Sequence, residues 1–269
     1  VALLKTIKPK HPAIEFFLGS VLSSTGNYQG MAMTTPNHQS RSFLDRFYTE
    51  FARNYLSIPA QPDSLFFRSQ KAVYDRLGDP YFSYSGPTSM GKSFVMRMFL
   101  KKHIIDGSSS NFALLVPTKA LINEVTSKII DDLKELLAEH NYRLVTSAGA
   151  LALKQDHNFI LVLTPERLLY LLIGNPGIDI DYLFIDEAHK ISTKGSRSAF
   201  YYKVVDMLCR RDKRPHVIFA SPNIPNPEVY LMLIPDAMVG EEQKLTTTFA
   251  LVSQMKYLID LLANQIMLY

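Results

Sequence analysis

The sequence predicts an α/β fold, an open parallel sheet with helices on both faces, and three observations carry that prediction. From about Gln70 onward, short apolar runs alternate with longer stretches of helical period. Several of those runs are apolar throughout, as strands covered on both faces are. The two sequences with most chemical character, a glycine-rich octapeptide and an acidic pair, each follow such a run directly. That is where open parallel sheets bind their ligands, beyond the carboxyl ends of strands.

Taken in chain order, residues 1–62 lack the alternation. Phe43, Leu44, Phe47, Phe51 and Tyr55 recur at helical spacing and predict a helix over Ser42–Tyr55. Gly26-Asn27-Tyr28-Gln29-Gly30 and Pro59–Pro62 read as turns or linkers. The segment is therefore expected to be a helical N-terminal appendage. Candidate strands follow at Tyr81–Ser85, Phe112–Pro117, Arg143–Ser147, Phe159–Thr164, Tyr182–Asp186 and His216–Ser221. Between them, Leu121, Val125, Ile129, Leu133 and Leu136 predict a helix over Lys119–Glu139. The tail, Leu245–Tyr269, reads as a strand-like piece followed by a helical piece carrying Met255, Leu258, Ile259 and Leu262.

Composition bounds the rest. A hydrophobic share of 47% excludes a disordered chain. The net charge, 29 − 25 = +4, permits a polyanionic partner without requiring one. Cys209 is the single cysteine, so no intrachain disulfide forms, and its apolar neighbours Val204, Val205 and Leu208 mark it as a core thiol. A reducing, cytoplasmic setting is expected. No membrane span is expected either, because the strongest apolar stretch, Phe159–Ile173, is broken by Thr164-Pro165-Glu166-Arg167. Val1-Ala2-Leu3-Leu4 lacks the basic head and cleavage site of a secretory signal, and it lacks an initiator Met, as a piece of a longer chain would.

Gly86-Pro87-Thr88-Ser89-Met90-Gly91-Lys92-Ser93 fits the P-loop pattern G-x-x-x-x-G-K-[ST] at every fixed position, with a strand before it and an apolar helix after it. Glycines let backbone N–H groups close around phosphate oxygens without Cβ clashes. The following helix start adds orphan donors and a favourable dipole. In this reading Gly86, Thr88, Ser89, Met90 and Gly91 form the cradle. Lys92 neutralises the β- and γ-phosphates of ATP, and the Ser93 hydroxyl ligates Mg²⁺.

Tyr182-Leu183-Phe184-Ile185 runs into Asp186-Glu187-Ala188-His189. A carboxylate at the end of a buried strand suits a metal site, so Asp186 is expected to hold Mg²⁺ through water. Glu187 is expected to act as the base that orients the attacking water. Asp is also a favoured helix N-cap, and the pair gains weight from the P-loop upstream.

Together these motifs resemble a superfamily 2 helicase of the DEAD/DEAH type, over about Phe66 to Asp260. The resemblance implies an N-terminal RecA-like motor domain with the P-loop NTPase fold. It also implies an ATP hydrolase acting on DNA or RNA. Pro117-Thr118-Lys119-Ala120-Leu121 looks like motif Ia and Thr164-Pro165-Glu166-Arg167 like motif Ib, which line the family's nucleic-acid track. Pro117-Thr118-Lys119 equally fits a strand end feeding a capped helix, and Thr164-Pro165-Glu166 an ordinary helix start, with Thr as cap, Pro at the first position and an acid in the first turn. Asn226-Pro227-Glu228 reads the same way, and there capping is the preferred reading. Gln70 stands where the family's Q motif recognises adenine. Ser221-Pro222-Asn223 stands at motif III, usually Ser-Ala-Thr, and keeps only the coupling serine Ser221. His189 either couples the nucleotide state to a second domain or packs locally. The segment after Ser221, together with Arg197, is similar to Ski-type helicases. The Ser-Met-Gly variant of the P-loop suggests a bacterial antiphage system with a partner subunit.

The implied organisation is an appendage over 1–62, a first RecA-like domain over 63–240 and an exit segment over 241–269 toward a second RecA-like domain. The family's Q/H-x-x-G-R-x-x-R pattern, which carries an arginine finger, does not occur in this sequence. The chain alone is therefore expected to bind nucleotide and hydrolyse it poorly. A duplex translocase without unwinding and a nucleotide-gated binding module are the rival readings.

Overall fold

The computed structural model describes residues 12–28, 30–31, 43–147, 149, 157–192, 197–235, 244–247, 257–260 and 265–268. Its centre is a seven-stranded parallel sheet. The strands are β3 (Tyr81–Ser85), β4 (Phe112–Leu115), β5 (Tyr142–Val145), β6 (Asn158–Leu163), β7 (Tyr182–Ile185), β8 (His216–Ser221) and β9 (Lys244–Thr246), in the order β5-β6-β4-β7-β8-β3-β9. Each of the six candidate strands is present within a residue or two of its predicted ends, and the strand-like piece near Leu245 is β9.

Alternation along these strands divides the core. Phe82, Tyr84, Leu114, Val162, Phe184 and Ile218 face one layer. Leu115, Leu161, Leu163, Ile185, Val217 and Phe219 face the other. The first layer packs against α3 (Arg68–Tyr74), α4 (Lys92–Ile105) and α5 (Lys119–Glu139). The second packs against α6 (Pro165–Gly174) and α7 (Ser198–Cys209). Each Leu, Phe or Ile so covered contributes about 1.5–3 kcal/mol. This is the predicted α/β arrangement with helices on both faces.

Local sequence explains the helices. Thr118 caps α5 by accepting from the Leu121 N–H at 3.2 Å, and Ile122, Val125, Ile129, Leu133 and Leu137 form its buried stripe. Helix α4 is apolar on most of its circumference because it lies between α3, α5 and the sheet. Asp106 caps its C-terminus, and Gly107, at φ +73°, turns the chain away.

The N-terminal region is not purely helical. It contains α1 (Pro12–Ser24) and α2 (Phe43–Leu56), then a hairpin of β1 (Ser57–Ile58) and β2 (Gln61–Leu65). Pro59–Pro62 is thus a hairpin turn running into a strand, with Pro62 tolerated because a two-stranded ribbon has only edges. Helix α2 forms where the spacing predicts it, but on a different face. Thr49, Ala52 and Leu56 are buried, beside Tyr28 and Met31, while Phe43, Leu44, Phe47, Phe51 and Tyr55 are 52–71% exposed.

The helical piece expected in the tail is corrected. Tyr257–Asp260 is a strand, β10, paired antiparallel with β11 (Gln265–Leu268). A short apolar run satisfies helical and extended spacing alike, and Tyr, Leu and Ile pair well in strands. Met255 and Leu262 lie outside the described residues.

Candidate nucleotide and nucleic-acid site

The P-loop leaves the carboxyl end of β3, makes one 3-10 turn over Thr88–Met90, and enters α4. Gly91 makes the junction at φ +79°, a left-handed conformation that costs any side-chain-bearing residue about 1–2 kcal/mol. A Cβ there would also stand 2.9 Å from Gln70 Nε2, and one on Gly86 would stand 2.5 Å from Met90 Sδ. A side chain at either position would have to displace Met90 or Gln70, and at Gly91 the left-handed backbone adds strain.

Two neighbours hold the loop. Gln70 is buried, accepting from the Phe67 N–H at 3.0 Å and donating to the Met90 carbonyl at 2.9 Å. Met90 is buried completely beneath Gly86. Gln70 thus braces the loop from behind, and Met90 fills the space under it. The anchoring by Met90 and the brace by Gln70 were not readable from the motif, which leaves its internal positions unspecified.

Lys92 folds back on the loop, donating to the carbonyls of Gly86 at 3.1 Å and Pro87 at 3.3 Å. Burial lowers its pKa, against the opposing pull of Asp186 and Glu187. Asp186 lies across the same small cavity, which Lys92, Ser93, Tyr84 and Met96 also line. Its pKa is pushed up to about 6, first by burial, then by the negative charge of Glu187, and the Glu187 N–H donating at 2.9 Å and Lys92 offset this only in part. A lysine and a carboxylate, each disfavoured as charges by burial, are a fit partner set for a polyphosphate and a divalent cation. The Ser93 hydroxyl and the first-turn N–H groups of α4 add the hydroxyl and donors such a ligand takes.

Glu187 has φ +54°, left-handed backbone in a residue other than glycine. Strain of this kind persists where the surroundings over-determine it. His189 Nδ1 lies 3.4 Å from Glu187 Oε2, off hydrogen-bond geometry, and burial lowers the His189 pKa. Ser221 is fully buried at the end of β8. Its hydroxyl donates to the Tyr84 carbonyl at 3.2 Å, and its carbonyl accepts from the Gly86 N–H at 3.2 Å. Ser85, which the motifs did not single out, donates to Pro222 at 2.9 Å and accepts from the Ile224 N–H at 2.7 Å. The segment at motif III is therefore fastened to the P-loop strand.

The two track candidates end the adjacent strands β4 and β6. Thr118 and Lys119 are exposed, and the Thr118 hydroxyl caps α5. Thr164 is buried and caps α6 through the Arg167 N–H at 3.5 Å, with Pro165 buried at the first helical position. Thr118 therefore caps its helix while staying exposed, whereas Thr164 caps from a buried position. The Arg167 guanidinium turns inward to the Thr146 carbonyl at 2.7 Å. Glu166 pairs instead with Arg197, Nε to Oε1 at 3.1 Å. Asn226-Pro227-Glu228 opens a 3-10 helix over Pro227–Leu233, with Pro at the first position and Glu228 in the first turn, but the Asn226 side chain makes no capping hydrogen bond.

Comparisons with known proteins agree with this geometry. A family model for the DEAD/DEAH box helicases matches residues 68–229. A probable ATP-dependent RNA helicase of Bos taurus, DDX52, is 31% identical over 124 residues, 41% of this chain and 20% of that protein. The chain therefore spans a fifth of the length of that curated relative. Among solved structures, the DUF1998 helicase MrfA bound to DNA superposes with a TM-score of 0.51 at 16% identity, covering 69% of this chain and 27% of that one. The likeness to MrfA is one of fold, whereas the family match takes in the P-loop, the acidic pair and both track segments: the chain belongs to the DEAD/DEAH box helicase family.

Proposed function

We propose that the chain carries the first motor domain of an ATP-dependent nucleic-acid helicase. The observation that carries this reading is the convergence of Lys92, Ser93 and Asp186 on one cavity between the ends of β3 and β7. Residues 63–240 are the motor in this reading, 1–62 an appendage, and 241–269 the exit toward a second RecA-like domain. Its setting is cytoplasmic; among the described residues no helix is long and apolar enough to cross a membrane.

Magnesium ATP, when bound, supplies the γ-phosphoryl group and a cation that draws off its charge. Lys92 exchanges its two loop carbonyls for the phosphates, which restores the counter-charge that burial denies it. Gln70 keeps the Met90 carbonyl out of the cradle, so that the loop N–H groups face inward; adenine recognition by the same side chain uses its remaining hydrogen-bonding capacity. Ser93 and Asp186 hold the metal, and Glu187 orients water and takes its proton. One strand of DNA or RNA crosses Pro117–Lys119 and Thr164–Arg167, contacts that position the strand without reading its sequence. His189 and Ser221 pass the nucleotide state onward, His189 from beside Glu187 and Ser221 from the end of β8, bonded to the P-loop strand.

The test is turnover of the full-length protein with and without nucleic acid. Stimulation by DNA or RNA is expected; turnover indifferent to both leaves only a nucleotide-gated module. Lys92→Ala is expected to abolish nucleotide binding, and undiminished affinity for a fluorescent ATP analogue would remove the P-loop assignment. Glu187→Gln is expected to keep that affinity and lose turnover by at least about 10²-fold, the lower range for a positioned base.

A further inference from the structure

The residues assigned to the nucleic-acid path leave little positive charge on its surface. Thr164 and Pro165 are buried, and the half-buried Arg167 donates from Nη1 to the Thr146 carbonyl at 2.7 Å. Glu166 brings a negative charge to the first turn of α6, where it opposes a phosphate. Lys119 is the exposed cation within the two segments.

Arg197 alters that balance. It lies at the start of α7, far from both segments in sequence, yet its guanidinium reaches both. Nε is 3.1 Å from Glu166 Oε1, and Nη1 is 3.4 Å from the Pro117 carbonyl. Its side chain remains 70% exposed while Glu166 is only 23% exposed. A guanidinium has five donors in a planar fork. Two of them fix it across the gap between the β4 and β6 ends, and the side chain keeps most of its surface exposed among the described residues. A surface ion pair of this exposure stabilises a fold by at most about 1 kcal/mol, so stability alone gives little reason for a bridge here.

We propose that Arg197 is a further phosphate contact of the nucleic-acid path, held in place by Glu166 and the Pro117 carbonyl. The proposal rests on the reading that the β4 and β6 ends line that path. The bridge neutralises Glu166 and fixes the guanidinium at the Pro117 carbonyl, in the segment that carries Lys119, so that two cations serve phosphates of one strand. Contacts of this kind are indifferent to base and act on DNA and RNA alike.

The experiment is a titration of fluorescein-labelled oligo-deoxythymidine and oligouridine with the full-length protein, read by anisotropy across a series of salt concentrations. Arg197→Ala, Lys119→Ala and the double variant Arg197→Ala/Glu166→Gln are compared with wild type. Each phosphate contact on a single strand contributes about 0.7 to the slope of log affinity against log salt. Arg197→Ala is expected to weaken binding and reduce the slope by about 0.7, with melting temperature unchanged, and Glu166→Gln is expected not to restore the slope. An unchanged slope, or recovery of wild-type binding in the double variant, would mean that Arg197 only shields Glu166, and the inference falls. If Lys119→Ala weakens binding and Arg197→Ala does not, the inference falls alone. If neither changes binding, the path lies elsewhere and the reading under it falls as well.

Discussion

Gly91 brings backbone and chemistry together at a single position. Its φ of +79° and the 2.9 Å approach of Gln70 Nε2 leave a Cβ nowhere to go. Gly91→Ala is expected to lose about 1–2 kcal/mol of stability from the backbone alone. Displacing Gln70 from the Met90 carbonyl should misplace the cradle as well, so nucleotide affinity should fall further than in a Gln70→Ala variant. Chemical denaturation and fluorescent-nucleotide titration measure the two effects separately, and an Ala variant as stable as wild type would contradict the strained turn. Cys209 makes a second prediction at this scale. Burial raises its thiol pKa to about 11, so at about pH 8 the native chain should resist a disulfide reagent and react fully once unfolded in urea. Prompt reaction of the native thiol would contradict its burial. The sequence disclosed the glycines and the cysteine because their constraint is chemical and local. It pointed to Arg197 by resemblance alone and gave no sign of Ser85; their contacts lie about eighty and one hundred and forty positions away.

The elements were legible in proportion to how completely the sheet buries them. Phe112–Leu115 and Phe159–Leu163 are apolar throughout because both faces are covered, and such runs announce themselves. The second strand of the β1–β2 hairpin begins Gln61-Pro62-Asp63-Ser64 and offers neither alternation nor an apolar run. Helix α2 shows a different limit: periodicity finds a stripe but does not say that the stripe is the face turned inward. At the amino end of the sheet, α4 contributes a pH dependence. His103 Nδ1 lies 3.2 Å from the Phe99 carbonyl and so donates, leaving Nε2 to accept from Tyr182 OH at 3.2 Å. Burial lowers its pKa; Lys102 and His216 add to that, while the Phe99 carbonyl and Asp106 oppose it. The unfolded chain then takes up this proton first as pH falls through about 6.5, so the contribution is present above that range and is lost below it. The urea midpoint should drop between about pH 7.5 and 5.5, and His103→Leu should shallow the drop; an equal drop in the variant would locate the dependence elsewhere.

At the scale of the whole molecule, strand order is what assembles the site, and no local pattern discloses it. After β3 the chain skips two positions, β4 forms on the far side, and β7 and β8 later fill the gap. That return brings Asp186 and Ser221, about one hundred residues or more beyond the P-loop, to the crevice where Lys92 lies. The parallel β9 then closes the other edge of β3, and Thr247 donates from its N–H to the Ser85 carbonyl at 3.0 Å, beside the start of the loop. In the proposed reading one side of a phosphate site is thereby in place, with Lys92 beyond β3 and Asp186 and Glu187 beyond β7. Within the sequence there is no Q/H-x-x-G-R-x-x-R segment to supply a cation from the opposite side. A cation of that kind is worth about 10³–10⁵ in rate in phosphoryl transfer. Residues 1–269 should therefore bind a fluorescent ATP analogue with an affinity that Lys92→Ala removes, yet turn ATP over about 10³-fold or more slowly than the full-length protein with nucleic acid present. Equal turnover would show that the transition-state charge is met from within this chain. Arg197 would not be the source, because its guanidinium is held at Glu166 and Pro117.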